Sequence, residues 1–301
     1  MIDLVSLRLF VRAAELGSFS KAAEQSNLAL AAVSRRIALL EGHFGVDLFS
    51  RTGRGVEVTP AGRVLLDRAR EILLQARLAD ADLSDFTKGL RGTVGLMAST
   101  SAVSQFLPSD LAAFSRLCPE LRIDLREAYT DEIVGALRDG RTEVGVVISG
   151  PNVVDLDTVP YRTDRLTVVA PRDFMPGVQK VRLIDLIAND FVVMDDRTAI
   201  SRLLKTAASE AGSAMRLRVK VGSFDVVCRM VQAGFGLSVQ PRMAAEHFQA
   251  TMGLRLIDLD EPWAERQMLI CTSPQTGVSL AARRLVFHLG ECARIGAGLA
   301  N

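Results

Sequence analysis

Two hydrophobic periodicities divide the chain. Leu7, Phe10, Val11 and Ala14 fall at i, i+3, i+4 and i+7, the apolar face of a first helix. Gly17 ends it, and Ser18 caps a second helix carrying Ala22 and Ala23, small residues that let two helices cross closely. After the polar break Ser26-Asn27, Val33, Ile37 and Leu40 form the buried stripe of a third. At about 100° per residue, Ala31, Ser34, Arg35 and Ala38 lie on its opposite side. Helix, turn and helix with a small, polar, cationic outer face is the helix-turn-helix arrangement. From Gly92 the period changes to short β-branched runs: Thr93–Ala98, Leu121–Arg126, Val144–Ile148, Leu166–Ala170, Phe191–Met194, Leu217–Val221, Leu237–Gln240 and Met268–Cys271. Helical stretches separate them at Leu111–Leu117, Ile133–Arg138, Ser201–Ala211, Ser223–Ala233 and Ala281–Leu289. Such alternation predicts a mostly parallel sheet covered on both faces, divided into two sub-domains. Lys88-Gly-Leu-Arg-Gly-Thr is the expected hinge between the halves.

The segment after the third helix sharpens the first half. Leu48-Phe49-Ser50-Arg51 meets Val56-Glu57-Val58 across glycines at 53 and 55, which permit a tight hairpin. Arg51 and Arg54 stand at or near its tip, so the hairpin reads as a basic wing. Within residues 1–62 seven basic residues meet six acidic ones, yet Arg35, Arg36, Arg51 and Arg54 gather on the parts that would face a duplex. Ser34 and Arg35 are expected to face bases, Arg35 suiting a guanine edge; Arg36, Arg51, Arg54 and Lys21 are expected to face phosphates.

Thr59-Pro60 starts a further helix, with Thr as cap and Pro at the first helical position. Leu65, Ala69, Ile72, Ala76, Ala79, Leu83 and Phe86 follow at spacings of 4, 3, 4, 3, 4 and 3, the apolar seam of a coiled coil. A connector with such a stripe predicts pairing with a second copy. Two-fold pairing would set two recognition helices on successive turns of DNA and select an interrupted dyad.

Composition narrows the class. Of 301 residues, 49% are hydrophobic and 24% charged, which suits packed domains and excludes disordered or collagenous chains. The net charge of +1 makes any basic footprint local. No apolar run reaches a membrane span, and Arg8 and Arg12 interrupt the apolar N-terminus as a signal core, so a cytoplasmic protein without membrane contact is expected. Cys118, Cys228, Cys271 and Cys292 lie 110, 43 and 21 residues apart, without zinc or disulfide patterning, and Cys228 and Cys271 read as buried structural residues. His43, His247 and His288 lack a nucleophile or metal spacing, and Gly234-Phe-Gly236 does not continue as a dinucleotide fingerprint. No metal, cofactor or enzymatic activity is expected.

Ser99-Thr100-Ser101 follows the strand Thr93–Ala98 and opens a helical stretch, a setting suited to a carboxylate. Thr130 and Ser149 stand at equivalent strand ends, where open α/β sheets bind ligands. Ser223 and Phe224 would come from the opposing sub-domain.

The front blocks Gly17-Ser-Phe-Ser-Lys-Ala-Ala-Glu, Ala32-Val-Ser-Arg-Arg-Ile, Leu39-Leu-Glu, Gly45-Val-Asp-Leu-Phe-Ser-Arg and Val58-Thr-Pro-Ala-Gly resemble, in order and spacing, a LysR-type transcriptional regulator. Leu137-Arg-Asp-Gly-Arg-Thr-Glu-Val-Gly-Val and Val231-Gln-Ala-Gly-Phe-Gly-Leu-Ser-Val-Gln-Pro agree more loosely, with Glu143 where the family usually has Asp. The resemblance implies an α/β chain with an N-terminal all-α winged helix-turn-helix at 1–59 and a long dimerisation linker helix at 60–87. A two-lobed Rossmann-like effector domain at 92–301, resembling type 2 periplasmic binding proteins, would follow. Lobe I would take about 92–161 and 267–301, and lobe II about 162–266. It further implies a homodimer or homotetramer on double-stranded DNA, in reach of RNA polymerase, with an allosteric small-molecule effector between the lobes. By that pattern Ser99, Thr100, Thr130 and Phe224 are effector residues. Two positions depart from the family. Ala29 cannot cap the recognition helix through its side chain, and Leu30, where glutamine is common, can offer a base only an apolar contact such as to a thymine methyl. The competing readings are a small-molecule-binding protein without a DNA role and a metabolite-converting enzyme. The first leaves the front ninety residues unexplained; the second lacks acid–base pairs, a metal cluster and a cofactor loop.

Overall fold

The computed structural model describes residues 2–52, 55–88 and 92–298. The head begins with α1 (Leu4–Leu16), α2 (Phe19–Gln25) and α3 (Leu30–Phe44). Each boundary has a local cause. The Asp3 carboxylate accepts from the Ser6 N–H at 2.9 Å, and Ser18 Oγ accepts from the Lys21 N–H at 3.3 Å. Gly17 and Gly45 end α1 and α3 in the left-handed conformation that glycine adopts without penalty. Leu7, Phe10, Ala22, Val33, Ile37 and Leu40 are buried together, as the helical stripes predict. The hairpin β1 (Phe49–Thr52) and β2 (Gly55–Val58) pairs antiparallel from Phe49↔Val58 to Thr52↔Gly55. The wing lies against the end of α1: the Val56 N–H donates to the Gly17 carbonyl at 3.0 Å. A Cβ on Gly55, at φ 149°, would stand 2.3 Å from that oxygen, so the contact requires glycine.

Helix α4 (Pro60–Lys88) runs unbroken for 29 residues, about 44 Å at 1.5 Å per residue. Thr59 caps it, its Oγ1 accepting from the Gly62 N–H at 3.0 Å. Its stripe does not serve a partner chain throughout, as the heptad spacing predicts. Ala69 is fully buried in the head's own core, with Leu65 half-buried beside it. The reason is that α1 lies along this stretch of α4 and needs cover itself. Ile72 is exposed and Ala76 half-buried; the side chains of Ala79, Leu83 and Phe86 lie outside the described residues.

The remainder forms two α/β lobes. In order come β3 (Gly92–Ala98), α5 (Thr100–Gln105), α6 (Leu107–Leu117), β4 (Leu121–Glu127), α7 (Thr130–Arg138), β5 (Val144–Ile148) and the long β6 (Asp157–Pro171). Then follow β7 (Lys180–Val181), α8 (Leu183–Leu186), β8 (Asp190–Met194), α9 (Ala199–Glu210), β9 (Arg216–Val221) and α10 (Phe224–Gln232). The chain finishes with β10 (Ser238–Pro241), α11 (Arg242–Met252), β11 (Leu254–Leu259), β12 (Glu265–Thr272) and α12 (Leu280–Gly298). Strand β6 changes partners midway: Asp157 to Arg165 pair with β12, whereas Leu166 to Pro171 pair with β10 and β11.

The sheets are mixed, which corrects the expectation of a mostly parallel one. Strands β3, β4 and β5 are parallel, as are β8 and β9, but β12 runs antiparallel to β5 and β6, and β6 antiparallel to β10 and β11. The cause is the two long strands that carry the chain out of one lobe and back. Lobe I packs Leu96, Phe114, Val146, Ile270 and Leu285 on one face of its sheet, and Ile133, Leu137 and Cys271 on the other. Lobe II closes around Val168, Phe191, Val227 and Ile257. Trp263 packs against the lobe II core as β12 begins its return. No described helix is long and apolar enough to cross a membrane.

Candidate DNA-reading face and inter-lobe cleft

The reading face is built on α3. Ala31, Arg35 and Ala38 are exposed and Ser34 half-exposed, opposite the buried stripe. Ala29 sits at the N-cap without a side-chain hydrogen bond, as its composition requires, and Leu30 beside it is 48% exposed. The turn is held from elsewhere. Arg12 donates to the Gln25 carbonyl at 2.9 Å and to Ser26 Oγ at 2.7 Å, while Asn27 takes the left-handed φ of 52° that asparagine tolerates. Glu41, from the last turns of α3, accepts from the N–H groups of Leu48 and Phe49 at 2.9 and 3.2 Å, fixing the wing to the recognition helix.

Arg36 does not stand free for a phosphate, as the sequence suggests. Its guanidinium donates to the Asp3 carboxylate at 3.2 Å and to Ser6 Oγ at 3.1 Å. Three residues after Val33, it lies beside the buried stripe and faces the start of α1, so it ties α3 to the α1 cap. The hydrogen bonds from Ser6, with the Arg36 charge a smaller contributor, hold the Asp3 carboxyl below the usual range. Lys21 is exposed in the first turn of α2. The Arg51 backbone lies on β1; its side chain, and Arg54 altogether, lie outside the described residues.

The second site lies where strand ends of both lobes meet. Ser99, Thr100 and Ser101 follow β3, Ala128 to Thr130 follow β4, and Ile148 ends β5; Met194 ends β8, Arg197 to Ile200 come after it, and Phe224 opens α10. The N-termini of α7, from lobe I, and α9, from lobe II, open into it, α9 capped by Thr198 through the Ser201 N–H at 3.2 Å. Ser99, Thr100, Ser101, Thr130 and Phe224 all line this cleft. Ser149 and Ser223 do not. Ser149 is exposed, its N–H donating to the Gln267 carbonyl at 2.7 Å, and Ser223 Oγ turns to the Asp225 carboxylate at 2.5 Å. Thr100 Oγ1 donates to Glu127 at 2.6 Å, whereas the buried Ser99 Oγ has no partner among the described residues.

Several lining residues escaped the sequence reading: Tyr129, Arg197, Thr198 and Arg266. Arg266 carried a usable signal. It shares the inward parity of Met268 and Ile270 on β12, and strict alternation puts all three on the buried face. Asp164, on the parity of Leu166 and Val168 in β6, is its ion-pair partner. Burial lowers the Arg266 pKa, and the Asp164 carboxylate opposes that shift.

The lobes are clasped at the mouth. Arg202 of α9 donates to the Asp131 carboxylate of α7 at 2.6 Å, and the Arg197 guanidinium lies 4.3 Å from the Tyr129 ring centre. Arg197 also pairs with Asp195 at 3.0 Å, whose carboxyl its hydrogen bond lowers to about 2. So clasped, the cleft leaves about 30 Å³ for a water-sized sphere; a vestibule of about 350 Å³ adjoins it at Tyr129, Asp195, Asp196 and Lys220. Among the described residues no His, Cys, Asp and Glu group could hold a metal ion.

Two looser sequence matches have structural reasons. Glu143 accepts from the Ser279 N–H at 2.8 Å and so anchors the start of α12 to β5. A Cβ on Gly236 would stand 2.1 Å from the Asp190 carbonyl, so glycine lets Leu237 dock on β8, its N–H donating to that same oxygen at 2.8 Å.

Comparison with known proteins finds relatives for both parts of the chain. Residues 4–63 match the bacterial regulatory helix-turn-helix protein, LysR family, and residues 87–293 match the LysR substrate binding domain. The probable HTH-type transcriptional regulator LrrA of Synechococcus elongatus is 30% identical over 250 residues, covering 81% of this chain and 82% of its own. The transcriptional dual regulator GltC of Bacillus subtilis is 28% identical over 80% of this chain and 81% of its own. In fold, full-length OxyR from Pseudomonas aeruginosa, in a cysteine-to-aspartate variant, superposes with a TM-score of 0.73 at 20% identity, covering 98% of this chain and 95% of that one. Full-length CbnR in complex with its target DNA gives 0.67 at 21% identity, covering 97% and 100%. With a reading head and a substrate-binding domain matched over nearly its whole length, the chain belongs to the LysR family of DNA-binding transcriptional regulators.

Proposed function

We propose that the protein binds an interrupted dyad as a dimer or tetramer through α3 and the wing. A small carboxylate held between the lobes resets the spacing or angle of its heads beside RNA polymerase. Ser34 and Arg35 face base edges in this reading, Leu30 adds an apolar contact, and Lys21, Arg51 and Arg54 neutralise phosphate. Arg36 contributes by orienting α3 against α1. The exposed part of the α4 stripe, beginning at Ile72, pairs with a second copy.

The observation that carries the effector half is the buried, unpaired Ser99 hydroxyl in a cleft where α7 and α9 open from opposite lobes. Helix N-termini favour negative charge, and a group bridging them couples lobe closure to occupancy. Ligand sites usually span ~300–1,000 Å³, so the lobes must part to admit one.

The test is genome-wide mapping of DNA bound by the purified protein at moderate salt. An interrupted dyad beside one operon is expected, with affinity falling as salt rises. Binding without sequence enrichment at any salt contradicts the reading.

A further inference from the structure

Arg266 is 5% exposed and its partner Asp164 1% exposed. Among the described residues one guanidinium nitrogen is engaged: Nη2 donates to Asp164 Oδ2 and to Ser101 Oγ, the latter at 3.3 Å. Nη1 and Nε, both shielded from solvent, have no acceptor among the described residues, and Asp164 Oδ1 is likewise unpaired there. Buried N–H groups without acceptors are rare, and they gather where a ligand or ordered water completes them. Arg266 lines the inter-lobe cleft, as does Ser99, whose buried hydroxyl is also unpaired. Much of the remaining wall is apolar: Ala128, Ile148, Met194, Ala199, Ile200 and Phe224.

Resting on the inter-lobe reading above, we propose that Arg266 is the effector's carboxylate receptor. The effector is a compact monocarboxylate with an apolar body, a branched aliphatic chain or a single ring. Asp164 fixes the guanidinium on one side and leaves its other nitrogens to the ligand, with the Ser99 hydroxyl as a further donor. Charge balance sets the limit. The Arg266–Asp164 pair is neutral, so one carboxylate adds one negative charge, which the α7 and α9 N-termini offset. A second carboxylate would meet the apolar wall. Arg197, the remaining cation lining the cleft, is committed to Asp195 and stacked on Tyr129.

The experiment measures binding to the full chain by calorimetry and thermal shift. The ligands are isovalerate, cyclohexanecarboxylate and phenylacetate, each beside its primary amide, with succinate as the doubly charged control. Two variants accompany the wild type: Arg266→Met with Asp164→Leu, which removes both charges so that neither is stranded, and Ser99→Phe, which fills the cleft. At least one acid should bind the wild type, with its amide and succinate weaker by roughly 10- to 100-fold and the paired variant weakened as much. Acids that bind the paired variant as tightly as wild type, yet fail with Ser99→Phe, overturn the role of Arg266 and leave the inter-lobe reading standing. Acids that bind both variants unchanged overturn the two together. Failure of every acid on the wild type, or amides binding as well as acids, overturns the carboxylate receptor. If the paired variant does not fold, the acid-against-amide preference of the wild type decides.

Discussion

The reading head and the inter-lobe cleft are built on opposite plans. What the head would present to DNA in the proposed reading comes from residues close in sequence, on α2, on α3 and on the hairpin after them. The cleft is assembled from six separated segments, between Ser99 and Arg266, and no two of its charged or hydroxyl groups from opposite lobes are neighbours in the chain. A local site is held by caps and short-range hydrogen bonds; a dispersed one depends on the register of whole strands. The head should therefore fail through single packing or capping changes, and the cleft through changes that alter closure.

The largest effect expected is on the head's core. Phe10 is fully buried and its ring centre lies 5.2 Å from that of Phe49 on the wing. Phe10→Ala should cost about 3–5 kcal/mol and abolish duplex binding, while ligand stabilisation of the lobes persists in thermal shift. Loss of both together would mean the two halves fold as one unit. Next comes Arg35→Ala, expected to cost about 1–3 kcal/mol of discrimination at one base pair of each half-site and little elsewhere, read by competition binding. A uniform loss over all sequences would make Arg35 a phosphate contact instead.

Smaller effects belong to the cleft. Arg202–Asp131 is an exposed pair worth less than about 1 kcal/mol, so Asp131→Asn should speed effector association by no more than about fivefold. Slower association in stopped flow would show that the pair guides ligand rather than closing the lobes. The smallest response is expected of the buried thiols. Burial pushes Cys228 up to about 11 and Cys271 up to about 12. A raised thiol pKa leaves the neutral form in place at pH 8, with a thiolate fraction near one in a thousand for Cys228. Alkylation of native protein at pH 8, followed by mass spectrometry, should spare both; rapid labelling of either would mean that its lobe opens.

The same contrast explains what could be read from the sequence. The stripes Leu7–Phe10 and Val33–Ile37–Leu40, the caps Ser18 and Thr59, and the wing glycine Gly55 are local signals, and the structure forms each of these elements where the pattern placed it. Strand β11 and helix α11 were missed because Arg255 and Asp258 break the one pattern and only Ala244 and Ala245 are buried on the other. Arg36 misled for a related reason: composition shows a cation on a DNA-facing helix, but not that Asp3, 33 residues earlier, lies within reach. In the cleft, hydroxyls after strands were legible and alternation along β12 signals the burial of Arg266, whereas its pairing with Asp164 required knowing the register of β12 beside β6.

The proposed sequence choice lies on the outer face of α3, in whose first turn Leu30 stands exposed after a helix start that lacks a side-chain cap. The most direct test is selection of binding sites from random duplexes at moderate salt by the wild type and by Leu30→Gln, side by side. The account predicts the same interrupted dyad for both, with the preferred base changed at one position of each half-site, from thymine towards adenine on the contacted strand. Identical preferences at every position would contradict it and place Leu30 at the surface without a part in reading.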